Sequence, residues 1–169
     1  MLRVLRTSMD TTDALRSLDD LLEPGSTLMV GTTSGAGQQW RFRPLTVARV
    51  RGAEIDILLD TNEEWVAEFS DGDPIHATLS DNRSNDWSHL QGTAKVSRDE
   101  ALIDELWNPF AGAYFEDGRD TPGIAVLRIL VESGRYWSTP SGRIGSLISM
   151  VSAALGGSRA SGEHGDVTP

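Results

Sequence analysis

Pro74-Ile75-His76-Ala77-Thr78-Leu79-Ser80 and the later stretch Trp87-Ser88-His89-Leu90-Gln91-Gly92-Thr93-Ala94-Lys95-Val96 decide the architecture. In the first, Ile75, Ala77 and Leu79 alternate with His76, Thr78 and Ser80. In the second, Leu90, Gly92, Ala94 and Val96 share one face. A period of two marks half-buried strands, and the polar run Asp81 to Asp86 between them reads as their connection. Two adjacent strands of this kind imply an antiparallel sheet with one face on a core.

The same reading extends upstream. Glu54 to Leu59 is a strand entered through the turn Arg51-Gly52, and Gln39 to Val50 reads as one long strand. Thr27 to Thr33 is a short β-rich run closed by Ser34-Gly35-Ala36-Gly37. Those glycines fit no GxGxxG or Walker pattern, so a hairpin turn is the expectation. Downstream, Ile124 to Val131 is apolar on both faces and is expected as a central strand. Glu132-Ser133-Gly134 then turns the chain into Arg135 to Ser138. Helices are inserted singly: Thr12 to Leu22, stopped by Glu23-Pro24-Gly25; a short segment from Asn62 to Ser70; and Asp99 to Trp107. Ile144, Leu147, Ile148, Val151, Ala154 and Leu155 form the stripe of a last helix, ended by Gly156-Gly157. The fold class is therefore mainly β with α (α+β): an antiparallel sheet curling into a barrel with flanking helices. Residues 1–11 read as an N-terminal extension, 12–156 as the domain, and 157–169 as a flexible C-terminal tail.

With 169 residues the chain suits one domain, and its net charge of −10 argues against nucleic acid, whose phosphates need Lys and Arg. No apolar run approaches the length of a membrane span, the N-terminus makes a poor signal peptide, and cysteine is absent. A cytoplasmic location is the default expectation. Lys95 is the sole lysine, so an anion site has to be built from arginines, hydroxyls or backbone N–H groups.

Few residues suggest chemistry. His76 and His89 fall on the polar side of strands and His164 lies in the tail. No spacing marks a catalytic triad or a metal-ligand cluster, so no catalytic residue and no metal ligand is assigned. Arg43-Pro44-Leu45-Thr46 stands out because Pro cannot donate to a sheet ladder. A distorted edge strand with a surface arginine is the plain reading; a backbone exposed to a ligand is the other. Trp107 and Trp137 read first as core or interface residues, with cofactor contact as the alternative. Tyr114 and Phe115 either close over a site or anchor a loop.

The ordered string Gly92-Thr93-Ala94, Asp99, Leu106-Trp107, Tyr114-Phe115, Gly118, Asp120-Thr121-Pro122 and Tyr136-Trp137, with Arg43-Pro44-Leu45-Thr46 upstream, carries a further signal. It resembles the general stress protein branch of the pyridoxamine 5'-phosphate oxidase-like family, the FMN-binding split barrels. The resemblance spans roughly residues 12 to 156. It implies a split β-barrel, a homodimer and FMN in a cleft between the two chains, hence a possible FMN-dependent oxidoreductase. By the same resemblance, Arg43, Pro44, Leu45 and Thr46 line the flavin ring. Asp60, Thr61 and Trp65 occupy the phosphate region, and Trp107 and Trp137 belong to the half that reaches a partner's flavin.

One departure matters. The family usually places a threonine, a serine and a lysine after the strand that ends here at Leu59. This chain has Asp60-Thr61-Asn62-Glu63-Glu64-Trp65, with Trp65 where the lysine would stand. Thr61, Asn62, the helix N-terminus, or Arg41, Arg43 or Arg83 are the available compensations. The alternative function is a non-enzymatic dimeric barrel that has lost FMN, or that holds a deazaflavin or haem in the same cleft.

Overall fold

The computed structural model describes residues 16–34, 39–138 and 163–168. The expected last helix, Ile144 to Leu155, and the turn after Ser34 lie outside them. Nine strands form one sheet, in the order β1 (Arg16–Ser17), β9 (Glu163–Thr168), β8 (Ile124–Ser138), β7 (Asp86–Ser97), β6 (Pro74–Asp81), β2 (Thr27–Ser34) and β3 (Gln39–Thr46). A side branch carries β5 (Glu54–Asp60) on β8 and β4 (Arg49–Arg51) on β5. Every pairing is antiparallel except β1 with β9. Among the described residues three α-helices punctuate it: α1 (Leu18–Leu21), α2 (Glu64–Ala67) and α3 (Glu100–Leu106). Among the described residues no helix is long and apolar enough to cross a membrane.

The alternating residues of β6 and β7 point as their period requires. Ile75, Ala77, Leu90 and Ala94 are buried together with Leu28, Val30, Ile55, Ile57, Leu127 and Ile129 in the barrel interior. The other face of β8 is also covered. Ile124 and Val126 pack with Ile103, Leu106 and Phe115 beneath α3 in a second core. Asp99 caps α3, accepting from the Leu102 N–H at 3.2 Å.

Asp56 lies between two arginines on one rung of the β4–β5–β8 ladder, with Arg49 on one neighbour and Arg128 on the other. Asp56 is only 1% exposed. Its carboxylate accepts from Arg49 at 2.6 Å and from Arg128 at 2.7 Å. Arg49 also reaches Glu105 at 2.8 Å, clasping α3 to the sheet.

Four sequence expectations need correction. Glu132-Ser133-Gly134 is not a turn: β8 runs straight through it with a bulge, because Gln91 pairs with Ser133 while Gly92 pairs with Val131. Gly92 makes that bulge possible, since a Cβ there would stand 1.9 Å from the Leu130 carbonyl oxygen. The long strand expected over Gln39 to Val50 breaks at Val47-Ala48, whose N–H groups bond to Ser26 and Asp56 instead of continuing the ladder. In the described part of the expected first helix, Leu18–Leu21 is helical and Arg16–Ser17 is a strand, while residues 12–15 lie outside the described residues. Finally, the tail expected to be flexible over 157–169 supplies β9, which pairs with β8 and buries Val167.

Candidate functional site

Among the described residues β3 ends the sheet, pairing with β2 on one edge and with no strand on the other. That position accommodates Pro44, which could not serve a ladder on both sides. Facing this edge is a cavity of about 780 Å³, within the usual range of small-molecule sites. Its floor is Arg43, Pro44, Leu45 and Thr46 of β3, continuing into Val47. The end of β5 and the start of α2 supply Leu58, Leu59, Asp60, Glu63 and Trp65 on one wall. The connection after α3 supplies Phe115 and, at the mouth, the largely exposed rings of Phe110 and Tyr114. The cleft is thus apolar along its length, with polar groups gathered near Trp65.

Arg43 is already engaged. Its guanidinium donates to the Thr32 hydroxyl at 2.9 Å and lies over the Trp65 ring, 4.1 Å from the centroid. Burial, helped by the neighbouring Arg41, lowers its pKa from the ordinary arginine value, while Glu63 and Glu68 act the other way. Arginine stays charged under all ordinary conditions. Arg41 pairs with Glu68 at 3.6 Å on the surface.

The Asp60-Thr61-Asn62 turn is closed on itself and on the start of β8. The Thr61 hydroxyl donates to the Gly123 carbonyl at 2.9 Å and accepts from Arg98 at 2.8 Å. The Asn62 amide donates to Asp60 at 2.8 Å and to the Pro122 carbonyl at 2.9 Å, and the Asn62 N–H also donates to Asp60. The backbone N–H groups of Thr61 and Glu63 bond to Gly123 and Asp60. α2 follows with a single turn of four residues.

Of the residues singled out from sequence, the fold brings Arg43, Pro44, Leu45, Thr46, Asp60 and Trp65 to one cavity. Thr61 stands beside it with its hydroxyl turned to β8. Trp107 lies behind the wall, its ring 5.5 Å from that of Phe115 and packed on the second core. Trp137 is outside this cavity, 44% exposed on the outer face of β8, where it pairs with Trp87. Sequence reading missed Arg98, because its contact with Thr61 spans 37 residues and belongs to no local pattern.

The outer face is itself unusual. Met29, Trp40, Phe42, Trp87 and Trp137 are all exposed on the side of the sheet away from the barrel interior. Among them His76 and His89 stack with ring centroids 5.0 Å apart, joined by a nitrogen-to-nitrogen hydrogen bond of 2.8 Å, and Trp40 stands edge-on to His76. Burial, then the adjacent His89, holds the His76 pKa below that of free imidazole. No cluster of three or more metal-ligating side chains occurs among the described residues.

Residues 13–161 match the family described as pyridoxamine 5'-phosphate oxidase like. The chain belongs to this family. A general stress protein 26 from Jannaschia sp. CCS1 shares 25% identity and superimposes with a TM-score of 0.72, over 89% of this chain and 94% of that one. A general stress FMN/FAD binding protein from Xanthomonas citri has 23% identity and a TM-score of 0.62, over 72% of this chain and 85% of that one. A relative of general stress protein 26 from Clostridium acetobutylicum, placed in the pyridoxinephosphate oxidase family, has 22% identity and a TM-score of 0.60, over 71% and 84%. These likenesses fix the split-barrel fold. No curated protein sequence matches the chain.

Proposed function

We propose that this chain is a flavin-binding split barrel of the general stress protein type, active as a homodimer, in which the β3–β5 cleft takes the isoalloxazine ring of a flavin. The observation that carries this reading is the edge placement of Arg43-Pro44-Leu45-Thr46 along an apolar cleft of about 780 Å³. A planar ring is served there by backbone groups and by Leu45, Leu58 and Phe115, with Arg43 available to its polar edge. The Xanthomonas citri relative, described as FMN/FAD binding, supports the same choice of ligand. A bound flavin would supply hydride or electron transfer. The protein's own residues would orient the ring and exclude water, so this reading requires no general acid or base.

The dimer reading is supported by the aromatic outer face, where Trp40, Phe42, Trp87 and Trp137 leave large apolar area in water. Trp137, remote from the cleft of its own chain, then belongs to the surface that meets a second copy. Sedimentation at micromolar concentration is expected to give about twice the chain mass of 18.3 kDa; a stable monomer would remove the shared-site reading. Arg43→Ala is expected to weaken flavin binding about tenfold, the size of one charge-assisted hydrogen bond. Flavin fluorescence titration, with a thermal melt to correct for the lost Thr32 contact, measures it. Unchanged affinity would place the ring elsewhere.

A further inference from the structure

We infer that the cleft selects a flavin with a neutral tail, riboflavin, over its phosphorylated forms FMN and FAD; this rests on the flavin reading above and names which flavin. The donors of the Asp60-Thr61-Asn62 turn near Trp65 are already spent. The Thr61 hydroxyl and the Asn62 amide are bonded to Gly123, Pro122 and Asp60, and the N–H groups of Thr61, Asn62 and Glu63 are bonded within the same turn or to β8. Arg98 approaches Thr61 but does not line the cavity. Among the described residues the cation that lines it is Arg43, which gives one N–H to Thr32 and is covered on one face by the Trp65 ring, leaving its remaining donors to the flavin ring's polar edge.

What faces the cavity at this end instead is Asp60 and Glu63. Two carboxylates and one engaged guanidinium leave the wall net negative. A phosphate monoester carries close to two negative charges at neutral pH, so it meets net repulsion at this wall. A ribityl tail ending in a hydroxyl loses nothing there, because it can donate to a carboxylate. The ring contacts are the same for either flavin, so the difference between them isolates the tail.

Parallel fluorescence titrations of the full-length wild type with riboflavin, FMN and FAD at low and at physiological ionic strength test this. Riboflavin is expected to bind at least as tightly as FMN, with the FMN affinity rising as salt screens the repulsion. Glu63→Gln, at an exposed position, is expected to tighten FMN about three- to tenfold and to change riboflavin far less, since the amide oxygen still accepts from a ribityl hydroxyl. FMN binding more tightly than riboflavin to the wild type would overturn the inference while leaving the flavin reading in place. Binding of no flavin at all would remove both.

Discussion

Trp65→Lys is expected to tighten FMN binding about ten- to a hundredfold, since a charge-assisted hydrogen bond contributes roughly 1.5–3 kcal/mol. The side chain at position 65 lines the cavity, so an ammonium placed there reaches it. It would stand near Glu63 and the guanidinium of Arg43, cancelling the net negative charge of the cleft wall. The substitution removes the indole that covers Arg43, which also frees that guanidinium for the ligand. Riboflavin affinity should change far less, because its tail gains no ionic partner. Side-by-side titrations of the two flavins measure the effect. Equal gains for both would mean that Trp65 acts only by filling space.

Asp56→Ala is expected to destabilise the fold by about 3–5 kcal/mol, because it strands two guanidinium groups that now share one buried carboxylate. The loss propagates, since Arg49 also ties Glu105 of α3 to the sheet, and α3 covers the second core behind the cleft. Burial pushes the Asp56 carboxyl up, yet hydrogen bonds and charge from Arg128 and Arg49 outweigh it and hold the pKa below the ordinary value. Its stabilising contribution is therefore complete above the unfolded value of about pH 4 and is lost as pH falls through the lower folded value. Denaturant melts from neutral pH to pH 3 should show the wild type losing more stability in that acid window than Asp56→Ala. Parallel acid profiles would show that the triad contributes no pH-dependent stability.

Much of the barrel was legible because its strands bury one face. β6 and β7 alternate cleanly, and the two-sided apolar run of β8 could be satisfied only between two cores. The boundaries of α3 followed from its cap at Asp99. What failed was local punctuation outweighed by long-range pairing. Ser133-Gly134 looks like a turn, yet Gly134 lies against Leu90 and the His89 carbonyl inside a bulged ladder. Glu163–Thr168 has too little apolar character to announce a strand, and it becomes one because β8 presents a free edge beyond Arg135. At the site, Arg43 to Thr46 could be picked out from Pro44, while the internal bonding of Thr61 and Asn62 to Pro122 and Gly123 is a tertiary fact. Those two residues had been natural compensations for a missing lysine, and their donors prove to be occupied.

The central claim is that the β3–β5 cleft holds a flavin ring. The most direct measurement is a visible-spectrum and fluorescence titration of wild type, Arg43→Ala and Trp65→Lys with riboflavin and FMN. The account predicts saturable quenching by the wild type, with dissociation constants on the order of tens of micromolar, weakened by Arg43→Ala. Absence of quenching by either flavin in the wild type, with none restored for FMN by Trp65→Lys, would contradict it and leave a split barrel that does not bind flavin.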